Sequence, residues 1–347
     1  MRPFHGTPFV AGGCTLALLT GCSGGGNIAG PAVGDFSSGP AALRSTVLRG
    51  MPTSGTRVAV HPFINFAAMA KNKSNTIAIS DQQNSLVELF TAAGVQIGQL
   101  TGFEQPAGMA SDIKGNLYVA DKGNSRVQIY AAGFASPPTT LQDPGQYPLD
   151  VDSFANGAYI AVANVATTAG GAGSVSIFKG STLLSNVSVP NNQNVFFCAF
   201  DASGNLYVDG LDTNESPIIG EIPNATSGGS TFVPLTTTNS IGYATSIQVT
   251  TSGQIAIEDG DNNAIYTYNP PTNGSLGAPM QTTPIGITTY TFAFTKNMAD
   301  LYSADEIGTA FEFAYPAGGG SVSAFFVGGI PYGTAVIPSQ YPKKSSS

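Results

Sequence analysis

A two-strand unit returns along the chain at a nearly constant interval, and that interval restricts the possible folds to a few. Its clearest copy is Gly115–Tyr130. Leu117-Tyr-Val-Ala120 is a bulky run, Asp121–Ser125 is turn chemistry, and Val127 and Ile129 alternate with Gln128 and Tyr130, which together encode a β-hairpin. Copies start at Thr76, Tyr159, Gly204, Gly253 and Asp300. The polar residue expected to close the first strand of each copy falls at 81, 121, 164, 209, 259 and 305, with spacings of 40, 43, 45, 50 and 46. Several strands in a period of this length are the signature of propeller blades.

Each hairpin is flanked by further strand-like segments, such as Gly108–Ser111 before it and Thr139–Leu141 after it, so a repeat supplies four strands. The copies predict an all-β, six-bladed β-propeller over about residues 56–338. The first hairpin lacks a clear strand before it, whereas Pro331–Pro338 at the other end has no hairpin after it. Thr334–Ile337 is therefore expected to close the ring as the inner strand of the blade containing Thr76–Phe90, which removes two free sheet edges. Pro106-Ala-Gly-Met-Ala-Ser-Asp112, Gly115–Asp121 and Asn124-Ser-Arg-Val127 together resemble the NHL repeat, a family of β-propellers often with six blades.

Residues 1–21 read as an export signal. A single early cation, Arg2, precedes an apolar core of 11 residues, Phe9–Leu19, which is too short for the roughly 20 residues a spanning helix needs. Leu19-Thr-Gly-Cys22 resembles the bacterial lipobox, which implies lipidation of Cys22 and cleavage before it. Loss of Arg2 would take the net charge from −8 to −9. Ser23 in place of Asp resembles the outer-membrane sorting pattern of a diderm host. Residues 22–55 are rich in Gly, Ser and Pro and read as a flexible tether, and residues 339–347 as a polar tail.

The inventory of reactive side chains is sparse. The signal carries His5 away and leaves His61, so a catalytic triad or a multi-histidine zinc site has almost nothing to draw on. Cys198 sits in the apolar run Val195–Phe200 and reads as a buried thiol without a disulfide partner. Asp259–Asn263 opens like a calcium loop but has Ala264 and Pro270 where Gly and Glu are required, which favours a turn. The recurring acids at 81, 121, 259 and 305 are expected to accept backbone N–H bonds of the following turn, and Asp121 with Arg126 to form a surface ion pair. Asp150 and Asp152 fall in an inner strand near the channel, where they are candidate calcium ligands that supply only part of a shell. Phe196, Tyr243, Tyr290 and Tyr332 align near the starts of inner strands, which allows either a ligand-binding ring at the channel mouth with Asp150 beside it or packing between blades.

Basic groups are scattered and charged residues make up only 10% of the chain, which excludes a nucleic-acid footprint. The expectation is an exported, lipid-anchored, monomeric binding module of the cell envelope, non-catalytic and without a cofactor, whose partner is an envelope protein or glycan. The alternative is a propeller enzyme, a lyase or lactone hydrolase, with a metal in the central channel. A passive structural lipoprotein is the third possibility.

Overall fold

The computed structural model describes residues 63–64, 74–305 and 307–339. The signal, Cys22, the tether, His61 and the tail from 340 onward lie outside them. The described residues form a six-bladed propeller of antiparallel blades. From the axis outward, blade 2 is Pro106–Ser111, Leu117–Asp121, Arg126–Tyr130 and Thr139–Gln142. Blades 3, 4, 5 and 6 repeat this plan from inner strands Gln146–Phe154, Asn192–Phe200, Ala244–Val249 and Phe292–Phe294.

Blade 1 closes the ring as the sequence requires. Its inner strand, Pro331–Ile337, comes from the far end of the chain and pairs with Thr76–Asp81, Ala335 lying opposite Ala78. Phe63–Ile64, in the stretch before the first hairpin, adds a fifth strand beyond Gln96–Leu100. Thr236–Thr237, in the long connection after blade 4, pairs in parallel with Ser275–Gly277, which lies between the third and fourth strands of blade 5.

The second strand of each blade is largely buried because both its faces are covered by neighbouring blades. Thr76–Asp81 and Leu117–Asp121 are buried along their whole length, so strict alternation gives way to continuous bulk. The core consists of blade-to-blade seams. Leu89 and Ala78 of blade 1 pack with Leu117 and Val119 of blade 2, Ile177 of blade 3 with Val208 of blade 4, and Ile265 of blade 5 with Leu301 and Phe313 of blade 6. Each such side chain contributes about 1.5–3 kcal/mol when fully buried. Ser85, Ser125 and Asn263 occupy one equivalent place in three hairpins at φ 58°, 50° and 50°, the left-handed turn position that small polar residues tolerate.

Candidate functional site

The recurring acids are explained first, because their repetition could be mistaken for a site. In blades 1, 2 and 5 the second strand ends in Asp-x-x-Asn, and the asparagine Nδ2 donates to Asp81, Asp121 and Asp259 at 2.7, 2.8 and 2.7 Å. The same carboxylates accept N–H groups from the chain entering their own inner strand: Ile330 at 3.2 Å, Glu104 at 2.9 Å and Tyr243 at 3.2 Å, respectively. Each acid is thus a latch between the hairpin turn and the inner-strand entry. Asp81 and Asp259 also cap the following turn, as expected, through Asn84 N–H and Asp261 N–H. Asp121 meets Arg126 Nε at 2.9 Å, but the carboxylate is wholly buried and the pair is not superficial. In blade 3 the latch is inverted: Asn164, which lies inside the second strand, Tyr159–Thr167, and not at its end as expected, donates to Asp143 in the entry loop at 3.0 Å.

At the starts of the inner strands the axis is filled with rings. Tyr290 and Tyr332 stack at 4.8 Å between centroids, Phe197 stacks on the other side of Tyr332 at 6.4 Å, and Phe196 meets Tyr243 edge-on at 6.1 Å. All five are buried, and with Thr245 they enclose a space too tight to admit a water molecule. The four aromatics aligned from sequence are therefore brought together as a plug, with Phe197 as an additional member. On the opposite side of the axis the backbones themselves touch. A Cβ built on Gly108 would lie 2.1 Å from Asp150 Oδ1 and 2.8 Å from Leu149 O, and one on Gly333 would lie 2.1 Å from Ala107 O.

Beneath the plug lies a set of buried acids. Asp150 Oδ2 accepts Cys198 N–H at 3.1 Å and Asp152 Oδ2 accepts Phe200 N–H at 2.7 Å, so the two carboxylates stitch the inner strand of blade 3 to that of blade 4. Both candidate calcium ligands thus already serve as acceptors between strands. Among the described residues no group of three or more His, Cys, Asp or Glu is placed to hold a metal ion. Asp209 Oδ1 accepts Phe197 N–H at 3.0 Å, and Glu258 accepts from the Thr289 hydroxyl. Aligned on Gly204, Asp209 falls where blade 2 has Ala120, one residue before the latch, and Glu258 occupies the same place in blade 5. In blade 1 that place is Ser80, whose Oγ accepts Gly333 N–H at 2.6 Å. Asp209 and Ser80 serve N–H groups at the bulges of their inner strands, whereas Glu258 reaches across to Thr289 in the entry to blade 6. Burial pushes the Asp150 and Asp209 carboxyls well above the usual carboxylate range, and it pushes Glu258 up to about 8, aided by the charge of Asp259. Cys198 is a free, buried thiol, raised by burial and by Asp150, Asp152 and Asp209.

Where the inner strands end, the axis opens into a cup of about 180 Å³. Residues from the inner strands of five blades, or from the turns that follow them, line it, including Ser111, Asp152, Gln248, Phe294, Lys296 and Val336. Ser111 Oγ donates to Val336 O at 2.7 Å and ties blade 2 to blade 1 at the rim. Burial raises the Asp152 carboxyl to about 6, with the N–H groups of Phe200 and Ser153 opposing the shift. Asp152 was legible from sequence as an inner-strand acid. Lys296 and Gln248 carried no such signal, because the first lies in a turn and the second in a strand whose role depends on ring geometry.

The NHL repeat model matches residues 103–130, the copy with the clearest hairpin. NHL-repeat-containing protein 4 of Mus musculus is 35% identical over 71 residues, which is 20% of this chain. The chain spans about half, 52%, of that relative. A solved structure described as a nidogen/laminin complex aligns with a TM-score of 0.62 at 15% identity, covering 77% of this chain and 100% of the other, a likeness of fold. The chain is an NHL-like six-bladed β-propeller.

Proposed function

We propose that the chain is an exported, lipid-anchored binding module of the cell envelope. Cys22 carries the lipid, residues 22–55 tether the propeller, and the disc engages an envelope protein or glycan as a monomer without catalysing a reaction. In a diderm host the anchor lies in the outer membrane. The observation that carries this reading is the axis, plugged at one end by aromatic rings. Its aromatic end leaves no room for a substrate, and the buried carboxylates there already accept bonds from backbone or hydroxyl groups. A rigid scaffold whose side chains are committed to packing suits presentation of a surface better than turnover.

Two measurements test it. Radiolabelled palmitate should be incorporated by the full chain and not by Cys22→Ser, and the labelled form should sediment with envelope membranes. Cross-linking in intact cells should then recover a defined envelope component from the anchored protein. Label retained by Cys22→Ser, or a protein found free in the cytoplasm, would remove the anchor from the reading. A stoichiometric metal in protein purified without chelator, lost together with a hydrolase or lyase activity on EDTA treatment, would replace the module with the enzyme.

A further inference from the structure

We propose that the cup on the propeller axis holds one glycosyl residue, the terminal unit of an envelope polysaccharide or glycan. This rests on the binding-module reading and names its ligand. Five blades contribute to the cup, so it is where side chains from most of the ring converge on a space open to solvent.

The cup sets one carboxylate, Asp152, with one ammonium, Lys296, which is exposed. A charged ligand would gain at one of these groups and lose at the other. A hydroxylated ring uses both, donating to Asp152 and accepting from Lys296. The Gln248 amide offers a donor and an acceptor, and the exposed Thr251 hydroxyl adds a group that can do either. Phe294 and Met298, both half-buried, supply an apolar wall for the C–H face of a sugar. Asp152 is held in place by Phe200 N–H at 2.7 Å, so its orientation is set before a ligand arrives. At about 180 Å³ the cup is smaller than the roughly 300–1,000 Å³ typical of sites for whole drug-sized molecules, so a chain end fits and a chain interior does not. An arginine or lysine side chain of a protein partner would meet Asp152 but be opposed by Lys296.

The test is saturation-transfer NMR on the detergent-solubilised full chain, with glucose, galactose and N-acetylglucosamine offered singly and then with isolated envelope polysaccharide. Transfer to the ring protons of at least one sugar is expected, at millimolar affinity. Gln248→Ala should weaken it by about tenfold, and Thr251→Arg, which fills the cup, should abolish it while the melting temperature stays unchanged. A signal from the polysaccharide confined to its terminal residues supports attachment by a chain end. Absence of transfer from every sugar, or transfer that survives Thr251→Arg, overturns the proposal. So does capture of an arginine-bearing peptide, abolished by Asp152→Asn, with no sugar signal. Cross-linking to an envelope component that persists in the Thr251→Arg variant would overturn the cup and leave the binding module standing.

Discussion

Both ends of the propeller axis are lined from the inner strands, yet one is solid and the other open. At the entry end Phe196, Phe197, Tyr243, Tyr290 and Tyr332 meet in a plug. At the exit end Asp152, Gln248, Phe294 and Lys296 stand around a cup. The difference begins with side-chain volume at one position per repeat and with the two glycines that let the backbones of blades 1, 2 and 3 close up. A repeat architecture lacks space for six large rings on its axis, so half the circle is filled by aromatics and half by backbone in contact. What remains at the far end is a mixed lining in which Asp152, Gln248, Thr251 and Lys296 stand beside Phe294 and Met298.

The plug should therefore carry stability and the cup should not. The largest effect is expected from Tyr290→Ala, which removes a ring stacked at 4.8 Å on Tyr332 and leaves a buried void. A loss of about 3–5 kcal/mol is expected, read as a lower midpoint in urea. Next is Gly108→Ala, because the added methyl meets backbone of blade 3, at Asp150 Cα and Leu149 O, that cannot swing aside. Overpacking of this kind costs about 1–3 kcal/mol, or a fall of roughly 2–12 °C in Tm for a domain of this size. If either variant melts like the parent, the axis is looser than the rings and glycines indicate.

The hairpin copies, their spacing and the closing strand were legible in the sequence because they follow from local chemistry repeated at a fixed period. The latch acids were legible for the same reason, although only the ring shows that they hold the inner-strand entries as well as the turns. Asp209 shows what the sequence leaves undetermined. Its acid lies one residue from the latch position, and in a strand one residue is the difference between opposite faces. Placed in series with Asp121 it looks like another latch, whereas in the fold it serves the bulge at Phe197. Glu258 was hidden beside the latch acid Asp259. The cup could not be read at all, since Asp152, Gln248 and Lys296 lie far apart in sequence and converge only through ring closure.

The acids under the plug make a prediction about pH. In the unfolded chain Glu258 titrates near 4.5, and in the fold at about 8. Between those values the folded protein holds a proton that the unfolded chain has lost, so its contribution falls as pH rises through this window and is flat above it. Asp150 and Asp209 act in the same direction, as does Glu88 on the seam of blades 6 and 1, raised to about 7 by burial and by Asp81. Tm should drop between pH 5 and pH 8, and Glu258→Gln should flatten the slope. A Tm that rises over this interval would contradict the burial of these groups. Tyr332→Phe is expected to act in the opposite sense to the aromatic truncation. The Tyr332 hydroxyl is buried without a hydrogen-bond partner, so removing it while keeping the ring should raise stability by about 1 kcal/mol.

The smallest effect on stability is expected at the open end, and it sharpens the comparison most. Lys296 lies on the cup rim and is exposed, so Lys296→Ala should change folding free energy by no more than about 0.5 kcal/mol. If the cup is a site, the same substitution should weaken saturation transfer to a bound sugar. Plug variants should show the reverse pattern, with lower Tm and, wherever they remain folded, sugar signals close to those of the parent. A Lys296→Ala protein that lost stability in step with Tyr290→Ala would mean that the two ends form one packed unit. The cup would then be a dimple in the core, and the division of the axis into a structural end and a binding end would fail.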